Sequence, residues 1–193
     1  MTASTRRDRE RAKRHQLIIS AARELAEAEG WDAVTTRRLA ERIEYSQPVL
    51  YSHSDGKDAI MRAVAIQGFE ELADCLRRAR LGADNSELEL QAVCRAYLEF
   101  AVQRPALYQA MFVMPTDVKF ASEETPAPLR ASFDEFVSAL PADTEQPALT
   151  AEVTWSALHG MAVLAAAKRI PPEGQAERVK VLAARITGRR QAG

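Results

Sequence analysis

The sequence predicts an all-α protein of about nine helices, with an N-terminal three-helix head and a C-terminal helical bundle. Three observations carry this. Apolar residues recur at spacings of three and four along most of the chain. No segment shows the apolar/polar alternation of a half-buried strand. Only 8 Gly and 9 Pro occur in 193 residues, too few turn formers for a many-stranded β protein.

From His15, the residues Leu17, Ile18, Ala21, Ala22, Leu25 and Ala26 share one helical face, and Gly30 stands where a glycine ends a helix; the first helix is expected over about 12–29. Trp31 and Val34 bridge to Thr35, an N-cap for a two-turn helix over about 36–43 with Leu39, Ala40 and Ile43 on its inner face. Ser46 can cap a third short helix, whose first turn holds Pro48 where a missing N–H costs nothing; Asp55-Gly56 ends it. A long helix is expected over about 57–80, through Ile60, Met61, Val64, Phe69, Leu72, Ala73 and Leu76 to the break at Gly82-Ala-Asp-Asn85.

Leu90, Val93, Cys94, Tyr97, Leu98 and Ala101 mark a further helix that Pro105 ends, and Leu107, Tyr108, Met111 and Phe112 mark a short one after it. The stretch from Pro115 to Pro128 has three prolines and no periodicity, the pattern of a mobile loop. Leu129, Phe133, Phe136, Val137 and Leu140 form an amphipathic helix closed by Pro141. Residues 148–169 are apolar nearly all round, so that helix must be covered on several sides. A last helix over about 173–188 offers Val179, Leu182, Ala183 and Ile186.

The 26 Lys+Arg nearly cancel the 27 Asp+Glu, and a net charge of -1 excludes a globally basic nucleic-acid binder. Charge is nevertheless uneven. Residues 1–14 carry six basic side chains (Arg6, Arg7, Arg9, Arg11, Lys13, Arg14) against Asp8 and Glu10, which reads either as a solvated tail or as an arm for DNA phosphates or a minor groove. Cys75 and Cys94, without a CxxC and with only three histidines in the chain, argue against zinc and against a disulfide framework, and read as inert buried thiols. No apolar run nears the ~18 residues of a membrane span, and no apolar core follows the basic start as a secretory leader would require. These features point to a cytoplasmic protein with no membrane partner. No G-x-S-x-G, H-E-x-x-H or phosphate-cradling Gly-rich loop is present, so neither an enzyme nor a cofactor is expected.

Short helices joined by Glu44-Tyr45-Ser46-Gln47 have the outline of a helix-turn-helix, whose second helix enters the major groove. Its exposed set would be Gln47, Pro48, Val49, Tyr51, Ser52 and His53, with Leu50 inward. Gln pairs with adenine N6/N7, Val or Pro touches a thymine methyl, and Tyr51 and His53 can donate to phosphates.

Residues 16–64 resemble the DNA-binding domain of the TetR family of bacterial transcriptional regulators. The matching stretches are Gly30-Trp-Asp-Ala-Val-Thr-Thr-Arg-Arg-Leu-Ala-Glu-Arg-Ile43, Ser46-Gln-Pro-Val-Leu-Tyr-Ser-His53 and Lys57-Asp-Ala-Ile60. The resemblance implies a DNA-facing surface of Thr35, Arg37, Ser46, Gln47, Pro48, Val49, Tyr51, His53 and Lys57, with Leu39, Ala40, Leu50 and Ile60 in the head core. Two positions depart from the family pattern. Glu44 replaces the usual turn glycine and must adopt a left-handed conformation or lengthen the turn; Ser54 removes an apolar anchor. The C-terminal part, through Tyr97-Leu-Glu-Phe-Ala101, Arg104-Pro-Ala-Leu-Tyr108, Met111-Phe112 and Trp155-x-x-Leu158-His159-Gly160, is similar to a Trp/His/Gly variety of the family's sensor domain.

The expected organisation is a basic flexible arm over 1–14, a helix-turn-helix domain over 15–62 and a ligand-sensing and dimerisation domain over 63–193. The expected function is a ligand-responsive regulator, most simply a homodimeric repressor released from a palindromic double-stranded operator by a small hydrophobic effector. Tyr97, Phe100, Tyr108, Met111, Phe112, Trp155 and His159 are the candidate ligand residues, with Tyr97 and His159 as polar anchors. Each of them also reads as an ordinary core residue. The alternative, motivated by Glu44 and Ser54, is a helical ligand-binding or interaction protein that no longer binds an operator.

Overall fold

The structure, a computed structural model, describes residues 3–44 and 56–188. Among these are eight α-helices and two single 3-10 turns, and no strand. The helices are α1 (Ala3–Glu29), α2 (Thr36–Ile43), α3 (Lys57–Leu81), α4 (Ser86–Gln103), α5 (Pro105–Phe112), α6 (Ala127–Ser138), α7 (Pro147–Ala166) and α8 (Gln175–Ile186). The third head helix expected from Ser46 lies outside the described residues.

Most boundaries follow from local chemistry. Thr35, extended at φ -122°, accepts a hydrogen bond from the Arg38 N–H at its side chain and so caps α2. Gly30 ends α1 at φ +84°, a conformation that costs glycine little. Glu44 takes the left-handed option at φ 57°, and its N–H bonds the Ala40 carbonyl to close α2.

Three expectations need correction. The first helix starts at Ala3 and not near residue 12. The basic segment has no apolar periodicity, but Arg, Lys, Ala and Glu are good helix formers and extend a helix that the core has already nucleated. Within α1, Leu17 is exposed and Ile19 is buried, because the inner face is the one shared by Ile18, Ala22, Leu25 and Ala26. Cys75 is only half-buried, while Cys94 is buried as expected.

The chain forms two compact units, Met1–Gly68 with Arg104–Lys119, and Phe69–Gln103 with Phe120–Gly193. In the first, α1, α2 and the start of α3 bury Ile18, Ile19, Leu25, Trp31, Val34, Leu39, Ile60 and Val64, and α5 adds Leu107, Tyr108 and Met111. α5 is fastened to α1 by polar bonds. Pro105 at the first turn has no N–H to satisfy, and the Glu27 carboxylate accepts from the next two donors, Ala106 N at 3.2 Å and Leu107 N at 3.1 Å. A carboxylate at a helix N-terminus also meets the positive end of its dipole. Beside it, the buried Trp31 indole donates to the Ala106 carbonyl at 2.8 Å. α3 crosses α5 at Gly68, where an added Cβ would lie 2.5 Å from Met111 Sδ.

In the second unit, α4 packs on α6, α7 and α8. Its core holds Tyr97, Phe100, Phe136, Leu158 and Val179. Glu135 of α6 accepts from Arg80 of α3 at 2.8 Å and lies 3.5 Å from Arg77. The loop after Phe120 is tied back: Arg130 donates to the Thr125 carbonyl at 2.8 Å and to that of Glu123 at 3.3 Å.

Candidate DNA-binding surface and sensor residues

α2 packs through Leu39 and Ala40, and two exposed charge pairs join it to α1. Arg38 places both guanidinium nitrogens on Glu29, at 2.8 and 2.6 Å, and one turn on Arg42 meets Glu24 at 2.8 Å. The ladder makes the helices antiparallel. Arg38 holds the Glu29 carboxyl below its usual range by hydrogen bonding, and Glu29 raises the guanidinium in return. Arg38 is therefore committed to the fold, and the neighbouring Arg37 points away from it.

Of the nine candidate DNA-facing residues, Thr35, Arg37 and Lys57 are described. Thr35 serves as the cap of α2. Arg37 is 76% exposed at its side chain and 3.2 Å from Glu41, one turn along the same helix. An exposed pair of this kind holds its partner weakly, so the guanidinium can exchange a carboxylate for a phosphate. Lys57 opens α3 from the exposed surface, yet its ammonium donates to the Trp31 carbonyl at 3.0 Å. It links α3 to the end of α1 and retains two further donors. Ser46, Gln47, Pro48, Val49, Tyr51 and His53 lie outside the described residues.

The candidate ligand residues fall into both units. Tyr108, Met111 and Phe112 belong to the head unit, where the Tyr108 and Phe112 rings stand 4.9 Å apart. Tyr97, Phe100, Trp155 and His159 belong to the other. There the fully buried Tyr97 accepts a hydrogen bond from the Trp155 indole at 3.1 Å and packs edge-on to Phe136 at 5.7 Å. Burial lowers the pKa of the half-buried His159, 6.2 Å from Trp155, and favours the neutral ring. A cleft of about 330 Å³ is lined by Ala79, Gly82, Asp84, Leu88, Arg95 and Glu99 among others, and by none of these seven. Burial pushes the Cys94 thiol up to about 12, so it stays protonated and unreactive. Among the described residues no cluster could hold a metal ion, and no helix is long and apolar enough to cross a membrane.

The model described as "Bacterial regulatory proteins, tetR family" matches residues 18–64, and "Tetracyclin repressor-like, C-terminal domain" matches residues 90–186, half of the chain. This chain belongs to the TetR family. It is a DNA-binding transcriptional regulator of that family. The uncharacterized HTH-type transcriptional regulator Rv0681 of Mycobacterium tuberculosis is 30% identical over 152 residues, 76% of this chain and 67% of its own. A protein of unknown function from Rhodococcus sp. RHA1 shares the fold at a TM-score of 0.73 and 23% identity, over 90% of this chain and 93% of its own. A TetR variant from Acinetobacter baumannii AYE, solved in complex with minocycline, superposes at a TM-score of 0.63 and 21% identity, over 89% and 93% of the two chains. Trp155, His159 and Gly160 lie inside the C-terminal match.

Sequence reasoning missed Glu27, the Ala106 partner of Trp31, and the Arg38–Glu29 and Arg42–Glu24 pairs. The pairs had a signal, two acids and two bases each about one turn apart on adjacent helices. The partners of Glu27 and Trp31, some 75 to 80 positions away, had none.

Proposed function

We propose that this TetR-family chain is a homodimeric repressor that binds a palindromic operator in the cytoplasm and is released by a small hydrophobic effector. The observation that carries the dimer is the outer face of α7. Ala151, Thr154, Leu158 and Ala162 are buried in their own chain, while Leu149, Val153, Val163 and Leu164 are between 42% and 53% exposed. At 100° per residue these four share one side of the helix with Gly160, whose added Cβ would meet nothing within 4 Å. Val181 of α8 is exposed as well. An apolar helix face around a glycine suits a second copy of itself in a helical interface.

In this reading Thr35, Arg37, His53 and Lys57 position the head on phosphates, while Ser46, Gln47, Pro48, Val49 and Tyr51 belong to the reading helix. Residues 15–62 are the DNA-binding domain, and residues 63–193 sense and dimerise. In the second unit Tyr97, Phe100, Trp155 and His159 are the candidates for the apolar surface an effector would meet; Tyr108, Met111 and Phe112 are candidates within the first unit. The minocycline complex of the Acinetobacter baumannii relative supports a ligand of that character. Selection from a pool of random duplexes tests the reading. It should enrich a palindrome with half-sites ~34–36 Å apart or a multiple of that spacing; enrichment of no palindrome would count against it.

A further inference from the structure

Among the described side chains, the stretch of α1 from Arg9 to Leu17 has no core to pack on. Ile18 is the first buried residue among those described, and every described side chain from Arg9 to Leu17 is exposed or half-buried. From Ala3 to Leu17 the helix runs about 22 Å. Residues 1–14 carry an excess of four positive charges, whereas His15 to Glu29 hold Arg23 against Glu24, Glu27 and Glu29. A helix prefers the reverse, acids near its N-terminus and bases near its C-terminus, and α1 has no acid in its first turn and no base in its last. Charge set against the dipole and away from any core does not serve the helix. It suits an anion outside the chain. Arg14 lies 3.8 Å from Glu10, but no ion pair joins Arg9, Arg11 or Lys13 to another described side chain.

The position of this segment selects the anion. Because Arg38 meets Glu29 and Arg42 meets Glu24, α2 runs back along α1, and the turn at Glu44 comes a few residues N-terminal of Glu24 along α1. The basic half continues past that turn. Duplex DNA carries one charge per ≈ 1.7 Å of its axis, so about a dozen phosphates span the same length.

We propose that the basic, core-free half of α1 is a second DNA contact, lying on backbone phosphates beyond the helix-turn-helix. It rests on the reading that the head binds duplex DNA, and it adds affinity without sequence preference. The test uses the full chain with Arg9→Gln, Arg11→Gln and Lys13→Gln combined, since Gln keeps helix propensity and removes charge. Binding to a random-sequence duplex of about 40 base pairs is followed by anisotropy from about 50 to 300 mM salt; the slope of log affinity against log salt should become shallower by about 2–3. Helicity should stay unchanged, and the melting temperature equal or higher, because charges opposing the dipole are gone. The matching Arg9→Lys, Arg11→Lys variant should keep the wild-type slope. An unchanged slope in the Gln variant, or a shallower slope with lost helicity, would overturn this proposal alone. A wild-type chain with no affinity at the lowest salt would overturn the DNA-binding reading with it.

Discussion

Gly68 offers a quantitative test of how α5 is seated. An added Cβ there would lie 2.5 Å from Met111 Sδ, 2.8 Å from Met111 Cγ and 2.9 Å from Leu107 Cδ1, against the ≈ 3.5–4.0 Å of a comfortable contact. Both neighbours are 2% exposed, so they must retreat by about 1 Å into packed surroundings that hold little free volume. Alanine is a poor probe, because its helix propensity gains about 1 kcal/mol over glycine and offsets much of an overpacking cost of about 1–3 kcal/mol. Gly68→Val adds two more methyl groups and recovers only about half of that propensity, leaving a net loss of about 2 kcal/mol. For a chain of this length that lowers the melting temperature by about 4–8 °C. Thermal and urea unfolding followed by circular dichroism would measure it. Met111→Ala alone should cost about 2–5 kcal/mol by leaving a cavity, but combined with Gly68→Val it should cost about 1 kcal/mol or more less than the sum, since each change relieves the other. Additive losses in the double variant, or a Gly68→Val protein as stable as wild type, would refute the close crossing of α3 and α5.

Thr35→Ala should remove the cap of α2 and cost about 1 kcal/mol, read as a lower urea midpoint with an unchanged slope. Gly160→Arg should yield a monomer or insoluble protein, because it places a charge in the middle of the apolar α7 face; sedimentation at micromolar concentration would show a dimer if that face is not the interface. His159 gives a pH dependence with a definite sign. Its folded pKa is lowered, so the unfolded chain takes up the proton first. Its contribution is complete above the ordinary value of 6.5 and is lost as pH falls through the lowered folded value. The wild type should thus lose more stability on acidification than His159→Asn, and equal losses in the two proteins would contradict the burial argument.

Much of the fold was legible because helices announce themselves through apolar spacing. The buried faces of α2 to α5 fall where Leu39, Ile60, Val64, Leu90, Tyr97 and Leu107 placed them. The first turns of α1 were missed for the same reason, since Arg6 to Arg14 offer a single apolar residue, Ala12, and one residue makes no period. Glu44 illustrates a middle case: the sequence narrowed it to two conformations, and the Ala40 carbonyl, within reach of its N–H, selects the left-handed one. The candidate ligand residues were the hardest to rank. Trp155 and Tyr97 satisfy each other's polar atoms across 58 positions, and residue type alone does not separate such a pair from a ligand-lining pair.

The attachment of α5 makes the head a discontinuous piece of chain, leaving at Gly68 and re-entering at Arg104. Its parts list cannot be excised with one cut. A graft that carries only the first sixty-odd residues onto another regulator would arrive with the Trp31 indole facing an empty seat. The Glu27 carboxylate would hold no amides, and Gly68 would lie on an open groove of apolar side chains. A donor segment for Arg104–Lys119 would have to travel with it. Moving this head intact therefore means moving Glu27, Trp31 and the start of α5 together.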